Sequence, residues 1–351
     1  MLKCPELLIP TSLYLLIVLL LSPFPPCPVN AADSPSNSAI EPFTGNTMGT
    51  TYHIKVVTQN NDDKKLLSTL IEEKLKDVNQ SMSVYVPDSE ISLFNNAKKG
   101  KAIQISFEFY SVMVTSQKLY RITGGAWDGT VKPLVDLWGF GTKKEITTPP
   151  SSDVIRALLE NTGFDQITIQ NQTLQKHNSA ITLDLGSIAK GFGVDAIGQL
   201  LKDQGYINFL VEIGGEVLAS GEKTPGKPWI VGINKPDKWD NSNVAYLSFP
   251  LRDKALATSG DYKSFSMIEG EAYSHIINPA TGYPVDNGVV SASVISDNCT
   301  FADGLATALM VMGQEKGIKL VNSLENTECL IVVRDKEGAL KDYRSKNFPL
   351  P

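Results

Sequence analysis

The stretch LDLGSIAKGFGVDAI, residues 183–197, constrains the fold of this chain more than any other. It follows a strand-like run, AITLDL, and opens a helix-like run that ends near Gly205. A strand that turns through glycines into a helix presents free backbone N–H groups and the positive end of the helix dipole, which suit an anion such as phosphate. Lys190 adds a mobile positive charge. Because short motifs of this kind are often ordinary strand–turn–helix connections, the motif alone leaves both interpretations open.

The glycines after Lys190 also match the pattern G-x-G-x-x-A, and Glu212 lies about twenty residues further on, as an acid does in the dinucleotide-binding fingerprint. In that fingerprint the first glycine makes the strand-to-helix turn. Here the turn lies earlier, at residues 184–187, and Phe192 already belongs to the helix face. A Walker A lysine is also absent, because Lys190 precedes Gly191 instead of Ser or Thr. The sequence therefore favours a phosphate site over a nicotinamide-dependent oxidoreductase.

The first 32 residues have the pattern of a secretory signal peptide. One positive charge, Lys3, precedes a leucine-rich core at residues 13–21, and small residues follow at 29–32. The core is short for a membrane helix, which needs roughly 20 apolar residues. Because residues 7–21 are nearly continuously apolar, an uncleaved N-terminal membrane anchor stays open as an alternative. Either way, the pattern predicts an exported protein.

Cys27 lies in this segment and raises the question of lipidation. The residues before it, 24–26, are Phe-Pro-Pro and poorly replace the small and aliphatic residues of a lipidation site. Residues 33–42 are rich in Ser, Pro and Asn and predict a flexible leader. The remaining part, 43–351, is long enough for one large domain or for two lobes with a sizeable core.

The composition argues against two classes of function. The net charge is −6 with both signs interspersed, and no basic patch is interleaved with aromatic residues, so a nucleic-acid partner is not predicted. The three histidines, at 53, 177 and 275, lack ligand spacing, and no C-x-x-C pair occurs, so zinc is not predicted. Cys299 and Cys329 remain after processing and form either a disulfide or two buried free thiols.

Hydrophobic periodicity predicts alternating helices and strands along residues 43–351. Helices are predicted at 64–84, after Ser89, at 105–125, at 152–162, at 188–205 and from 299 onward. Strands are predicted at 47–57, 167–176, 180–185, 207–221, 228–234, 289–296 and 329–334. The sequence thus predicts an α+β protein.

Two loops carry residue types that often contact ligands. Tyr85 lies in the loop before a helix cap, where it either packs or covers the ring of a ligand. The loop AWDGTVKPLVDLWGFG, residues 126–141, holds two tryptophans and Asp128, and flat aromatic ligands stack on such side chains. The structural alternative is that these tryptophans fill the core. Met48, at the mouth of the first predicted strand, is core filler by periodicity alone.

Asp303 and Thr307 lie four residues apart in a predicted helix, which places a carboxylate and a hydroxyl on one face. Both are hard oxygen ligands that suit Mg²⁺ better than zinc. An exposed Asp and a Thr bonded to its own backbone would have the same spacing, so the pair alone is a weak signal.

Several stretches taken together resemble the ApbE family, the FAD:protein FMN transferases. They occur in the family's order from Thr47 to about Gly313 and cover nearly the whole predicted mature chain. Each is modest alone, but the ordered set is specific. The stretches are MGT, SMSVYVPDSEIS, AWDGTVKPLVDLWGFG, LDLGSIAKGFGVD, VEIGGEV, ALATSGDY, SHIINPATGYPV and ADGLATAL.

The resemblance implies two intimately associated lobes of mixed sheet with flanking helices, and a cleft between them that binds FAD and Mg²⁺. By motif match, the FAD contacts are Met48, Tyr85, Ala126, Trp127, Asp128, Asp184, Lys190, Ile276 and Ile277. The implied metal ligands are the backbone carbonyl of Ser187 and the side chains of Asp303 and Thr307. The family works on the outer face of the bacterial cytoplasmic membrane, which implies a periplasmic or membrane-associated location.

The implied reaction moves FMN from FAD onto a threonine hydroxyl of an acceptor flavoprotein and releases AMP. Lys190 is expected to stabilise negative charge, and His275 is expected to act as the base, because histidine ordinarily titrates near neutral pH. A structural role for His275 stays open, and Asp303 is a second candidate for the base. Family precedent suggests a subunit of a membrane redox complex as the acceptor. The alternatives are an Mg²⁺-dependent FAD pyrophosphatase and a non-catalytic FAD-binding protein.

Overall fold

The computed structural model describes residues 38–59, 62–141, 146–236, 245–261 and 265–349. The helices are α1 Lys64–Met82, α2 Glu90–Asn96, α3 Phe107–Ile122, α4 Lys132–Leu137, α5 Ser152–Leu159, α6 Ala189–Asp203 and α7 Cys299–Val321. The strands are β1 Ala39–Thr47, β2 Thr50–Thr58, β3 Ile103–Gln104, β4 Ile167–Gln170, β5 Thr173–Lys176, β6 Phe209–Ile213, β7 Glu216–Ser220, β8 Trp229–Asn234, β9 Ala245–Leu251, β10 Lys254–Gly260, β11 Phe265–Ile268, β12 Glu271–Ser274, β13 Val289–Ser296, β14 Glu328–Arg334 and β15 Leu340–Arg344.

One large sheet organises these elements, with strand order β1-β2-β6-β7-β10-β13-β14-β15. Every residue of β13 is buried, because both faces of the sheet are covered. Ala292 and Val294 belong to the main core with α7, whereas Val290 and Ile295 face a second core under the β8–β9 hairpin. The pairing of β13 with β14 shifts register between Val289 and Ser291, where the alternation of side chains between the two cores changes.

The α+β class is confirmed, and residues 37–351 form one compact unit. The strand pairs among the described residues are all antiparallel, whereas mixed sheets were predicted. Strand β1 begins at Ala39, inside the segment 33–42 predicted as a flexible leader, because β1 pairs along its length with β2. The predicted signal or anchor, residues 1–32, and Cys27 lie outside the described residues. Within the described ranges no helix is both long and apolar enough to cross a membrane.

Most predicted helices are present because their caps and periodicity agree. Asp63 caps α1 by accepting a hydrogen bond from Leu66 N, and Ser89 caps α2 in the same way. The glycine-rich run forms α6, and Gly205 follows its end with a φ of +88° that favours glycine. Helix α7 contains a break at Gly313, where φ is +77°.

The predicted strand AITLDL, residues 180–185, is wrong. The segment pairs with no neighbouring strand. Instead, the side chain of Asn95 accepts a hydrogen bond from Leu183 N at 2.7 Å and donates one to Leu183 O at 2.9 Å. Asp184 N donates to Gly129 O at 2.8 Å. An apolar run whose backbone hydrogen bonds go to a side-chain amide has the same sequence pattern as a strand whose backbone is paired in a sheet.

Candidate active site

A cavity of about 620 Å³ opens where α1, α6, α7 and the ends of β10 and β12 meet. All the site residues predicted from sequence border it. They are Met48, Tyr85, Ala126, Trp127, Asp128, Asp184, Ser187, Lys190, His275, Ile276, Ile277, Asp303 and Thr307. The folded chain therefore brings together residues that are more than 250 positions apart in sequence, as Met48 and Asp303 are. Their individual roles stay predictions.

Lys190 lies between two buried carboxylates at one part of this cavity. Its Nζ is 3.3 Å from Oε1 of Glu216 and 3.7 Å from Oδ1 of Asp303, and both acids are 2% exposed. Burial alone lowers the pKa of Lys190, but the charges of Asp303 and Glu216 outweigh it and raise this pKa above its ordinary value. Lys190 is thus a fixed positive charge and does not serve as a base near neutral pH.

The glycines of α6 allow this arrangement. A Cβ on Gly191 would lie 2.4 Å from the carbonyl oxygen of Cys299 and 2.8 Å from Cβ of Asp303. Gly191 N donates a hydrogen bond to Oδ2 of Asp303 at 2.9 Å, so the first turn of α6 holds the carboxylate. Gly193 leaves room for Met48, whose Cε lies 2.5 Å from the position of an added Cβ. Gly191 and Gly193 are thus positions where neighbouring atoms approach α6 closely.

Asp195 makes a second connection between α6 and α7. Its carboxylate accepts hydrogen bonds from the backbone N–H groups of Cys299 and Thr300, each at 2.8 Å, and from the hydroxyl of Thr300 at 2.5 Å. These are first-turn amides of α7, so the acid satisfies groups that the helix itself leaves unpaired. Helices α6 and α7 are therefore joined at Asp303 and at the first turn of α7.

The structure does not show Asp303 as an exposed acid or Thr307 as a threonine bonded to its own backbone, which was the structural alternative for this pair. Asp303 is buried, not exposed. The hydroxyl of Thr307 is hydrogen-bonded to the hydroxyl of Ser259 on β10, with 2.9 Å between the oxygens. Ser259 and Glu216 both border the cavity and were not among the predicted site residues. Both lie in stretches that resemble the family, VEIGGEV and ALATSGDY, and this was the signal that could have identified them.

The segment that carries Asp184 and Ser187 is held by neighbouring side chains. Oδ1 of Asp184 accepts a hydrogen bond from Gly186 N at 2.8 Å, which fixes the turn. The indole Nε1 of Trp127 donates to Oγ of Ser187 at 3.1 Å. Because the serine hydroxyl is engaged by the tryptophan, the backbone of residues 184–187 has a defined path past the cavity.

The donor set fits a divalent cation by its charge and its chemistry. Asp303 and Glu216 share the single ammonium of Lys190, so these three groups have a formal net charge of −1. A hydroxyl from Thr307 and backbone oxygen at Ser187 border the same cavity, and such oxygen ligands suit Mg²⁺. Among the described residues no group of three or more His, Cys, Asp or Glu side chains is placed to hold a metal ion.

The tryptophans of the loop at 126–141 pack in the core. Trp127 is 1% exposed and contacts Phe164 edge-on, with 5.7 Å between ring centroids. Trp138 is equally buried, packs against Tyr273 and donates to Gly282 O at 2.9 Å. The structural alternative is therefore correct for both rings, and neither offers an open face for stacking. Tyr85, in contrast, is 73% exposed at the rim of the cavity.

Asp128 borders the cavity with a perturbed carboxyl group. Burial raises its pKa to about 6, although hydrogen bonds from the hydroxyl and the backbone of Thr130 oppose the shift. Since the folded-state pKa exceeds that of the unfolded chain, Asp128 favours folding below the unfolded pKa, and this contribution is lost as the pH rises through about 6.

We expect this loss to be measurable with Asp128→Asn. Between pH 4 and pH 7.5 the free energy of unfolding of the variant, minus that of the wild type, should increase by about 2–3 kcal/mol. Urea unfolding at a series of pH values measures this difference, and any constant cost of the substitution cancels. A difference that does not change with pH would show that Asp128 titrates normally.

His275 follows the last residue of β12 and borders the cavity, with Phe140 edge-on at 6.4 Å between ring centroids.

Glu212, which the dinucleotide pattern singled out, has a structural role. Glu212 accepts a hydrogen bond from Gly215 N at 2.6 Å and lies 2.7 Å from Nδ1 of His53. This acid closes the β6–β7 turn and does not border the cavity, which removes the support for a dinucleotide fingerprint. Cys299 and Cys329 are both buried free thiols.

The comparisons with known proteins agree with the fold. The family model described as ApbE family matches residues 48–331. A protein of Vibrio cholerae serotype O1 named FAD:protein FMN transferase is 41% identical over 307 residues, which are 87% of this chain and 91% of that protein. The solved structure of the flavin transferase ApbE from Vibrio cholerae has a TM-score of 0.81 at 40% identity and covers 89% of this chain and 98% of its own.

A second solved structure, the apo form of the Pseudomonas stutzeri flavinyl transferase ApbE, has a TM-score of 0.78 at 34% identity. It covers 88% of this chain and 95% of its own. The fold and the cavity thus define a chain of the flavin transferase class. The chain belongs to the ApbE family.

Proposed function

We propose that this protein is an Mg²⁺-dependent FAD:protein FMN transferase, which moves FMN from FAD onto a threonine of an acceptor flavoprotein and releases AMP. The observation that carries the proposal is Lys190, fixed between Glu216 and Asp303 in the cavity of a chain 41% identical to a FAD:protein FMN transferase. A permanent cation beside acids that attract a divalent cation suits a pyrophosphate, because the anionic substrate resists attack until its charge is balanced.

Each residue has a stated part in this reaction. Asp303, Thr307 and the carbonyl of Ser187 would hold Mg²⁺, which when bound would supply positive charge to neutralise the phosphates and polarise phosphorus. Lys190 stabilises the negative charge that develops on the phosphate oxygens. His275 takes the proton of the attacking threonine hydroxyl, whose oxygen bonds to the FMN phosphorus as the bond to AMP breaks. The FAD is positioned by Asp128, Asp184 and Tyr85 and by the backbone of Ile276 and Ile277.

The acceptor and the location are part of the proposal. The acceptor presents an exposed threonine at the mouth of the cavity, and a subunit of a membrane redox complex is the favoured candidate. We propose that the N-terminal segment exports the protein to the periplasm or the outer face of the inner membrane. Accessibility of the protein to added protease in spheroplasts, compared with a cytoplasmic marker, tests this location.

One assay separates transfer from hydrolysis and from storage. The protein is incubated with FAD and Mg²⁺, with and without a flavin-accepting domain, and both AMP and in-gel flavin fluorescence are measured. Transfer predicts labelled acceptor, with AMP formed only when the acceptor is present. AMP and free FMN without labelling would identify a pyrophosphatase, and intact FAD in both samples would identify a binding protein.

Replacement of His275 by alanine tests the proposed base. We expect the transfer rate to fall by about 10²–10⁴-fold, the usual contribution of general base catalysis. The affinity for FAD should change little, because the imidazole acts on the acceptor hydroxyl. Rates and equilibrium binding of FAD measured side by side check this. An unchanged rate would remove His275 as the base.

A further inference from the structure

The hydroxyl of Thr307 is oriented differently from those of Thr69 and Thr115, which also lie inside helices. A threonine inside a helix ordinarily bonds its hydroxyl to a carbonyl three or four residues back. Thr69 in α1 donates to Lys65 O at 3.1 Å, and Thr115 in α3 donates to Ser111 O at 3.0 Å. Thr307 in α7 instead contacts Oγ of Ser259, on β10, at 2.9 Å. The partner on another element selects one of the two rotamers open to a helical threonine.

This orientation has a chemical consequence. A hydroxyl has one hydrogen and two lone pairs. When Thr307 donates its hydrogen to Ser259, its oxygen is turned away from its own helix and keeps both lone pairs for a cation in the cavity. Ser259 borders the same cavity and contacts the threonine hydroxyl from β10. Partners of this kind orient metal ligands in many proteins.

We propose that Ser259 is a positioning residue, which accepts the hydrogen of Thr307 and holds the threonine oxygen toward a divalent cation. The proposal rests on the proposed function, since it requires a cation at Asp303 and Thr307. A serine that bound the cation directly would contribute to its binding without Thr307. A positioning Ser259 contributes only through the Thr307 hydroxyl.

The neighbouring residue supplies a matched control. Oγ1 of Thr258 contacts Oγ of Ser293 at 2.8 Å, which is a second hydroxyl pair between β10 and its surroundings. Ser293→Ala removes one hydroxyl of that pair and leaves Ser259 and Thr307 in place. Any effect of losing a hydroxyl pair on the stability of β10 should appear in both alanine variants, whereas an effect on the cation should appear only with Ser259→Ala.

The test measures the binding of Mn²⁺ directly, by electron paramagnetic resonance of the free ion with FAD present at saturating concentration. We expect Ser259→Ala to weaken Mn²⁺ binding by about tenfold, a usual size for the loss of a residue that orients a metal ligand. Ser259→Thr should bind within about twofold of the wild type because it keeps the hydroxyl that Thr307 contacts. Ser293→Ala should also bind within about twofold, because the hydroxyl of Ser293 pairs with Thr258 and not with Thr307.

The double variant decides how Ser259 acts. Thr307→Val should weaken Mn²⁺ binding by more than Ser259→Ala, and adding Ser259→Ala to it should change nothing further. Wild-type binding by Ser259→Ala, or an equal tenfold effect in the Thr307→Val background, would overturn the positioning role. If the wild type itself bound no Mn²⁺ yet transferred flavin, the cation in the proposed function would fail together with the role of Ser259.

Discussion

Replacement of Asp303 by asparagine is expected to lower the rate of flavin transfer by about a hundredfold or more, the order seen when a preorganised charged group is removed from a reaction site. Asp303 has three partners that depend on its charge or position: Lys190, the N–H of Gly191 and, by our proposal, the divalent cation. An asparagine keeps the shape but loses the charge that holds Lys190. It also presents an amide donor where a carboxylate oxygen accepts.

The measurement is the initial rate of acceptor labelling over a range of Mg²⁺ concentrations. Extra Mg²⁺ should restore the rate of Asp303→Asn only in part, because one ligand is missing. Asp297→Asn is the matched control, since Asp297 lies just before α7 and pairs with Lys254 at the surface. Surface pairs of this kind contribute about 0–1 kcal/mol, so the control should remain active. Full activity of Asp303→Asn at low Mg²⁺ would contradict the assignment.

Gly191→Ala is expected to have the second large effect, through packing. The added methyl would overlap the backbone carbonyl of Cys299, at 2.4 Å, and Cβ of Asp303, at 2.8 Å. The backbone cannot yield as a flexible side chain does, so α6 and α7 must separate. Overpacking costs about 1–3 kcal/mol, and the better helix propensity of alanine offsets up to about 1 kcal/mol of it. A shift of about 1 Å at the Gly191–Asp303 contact can reduce the rate by about a hundredfold.

Gly198→Ala controls for a methyl added to the same helix. Its Cβ would meet Cδ2 of Leu218 at 2.4 Å, which is the end of a movable side chain away from Asp303. Thermal unfolding and the transfer rate should be measured for both variants. We expect Gly198→Ala to alter stability with little change in the rate per folded molecule. An equal loss of rate in both variants would mean that the α6–α7 contact has no special part in the site.

Sequence reasoning identified the described helices except α4, most strands and many of the residues that border the cavity, because these depend on local patterns and on ordered motifs. Lys190 and Asp303 could be paired through the family resemblance, although neither spacing nor periodicity placed them together. The Asp303–Thr307 spacing fixed only their helical face. Burial of Asp303 and the contact of Thr307 with Ser259 depend on how α7 packs against β10.

The errors have physical causes. Residues 180–185 alternate like a strand, but the partner of their backbone is the side chain of Asn95, which lies 88 positions away from Leu183. The sequence left open whether Trp127 stacks on a ligand or packs in the core, and the structure packs it in the core with its indole N–H donating to Ser187. Glu216 was read as one residue of a long strand, whereas the Gly214–Gly215 turn directs it at Lys190. Each depends on contacts between distant segments that no local pattern records.

The central claim is that FMN is transferred to a protein hydroxyl instead of water. The most direct measurement is the intact mass of an acceptor domain after reaction with FAD and Mg²⁺, together with the amount of AMP released. We predict that the acceptor gains one FMN through a threonine, that one AMP appears for each FMN attached, and that a Thr→Val acceptor is neither labelled nor supports AMP release. AMP and free FMN formed at the same rate with either acceptor, and no gain in acceptor mass, would contradict the account.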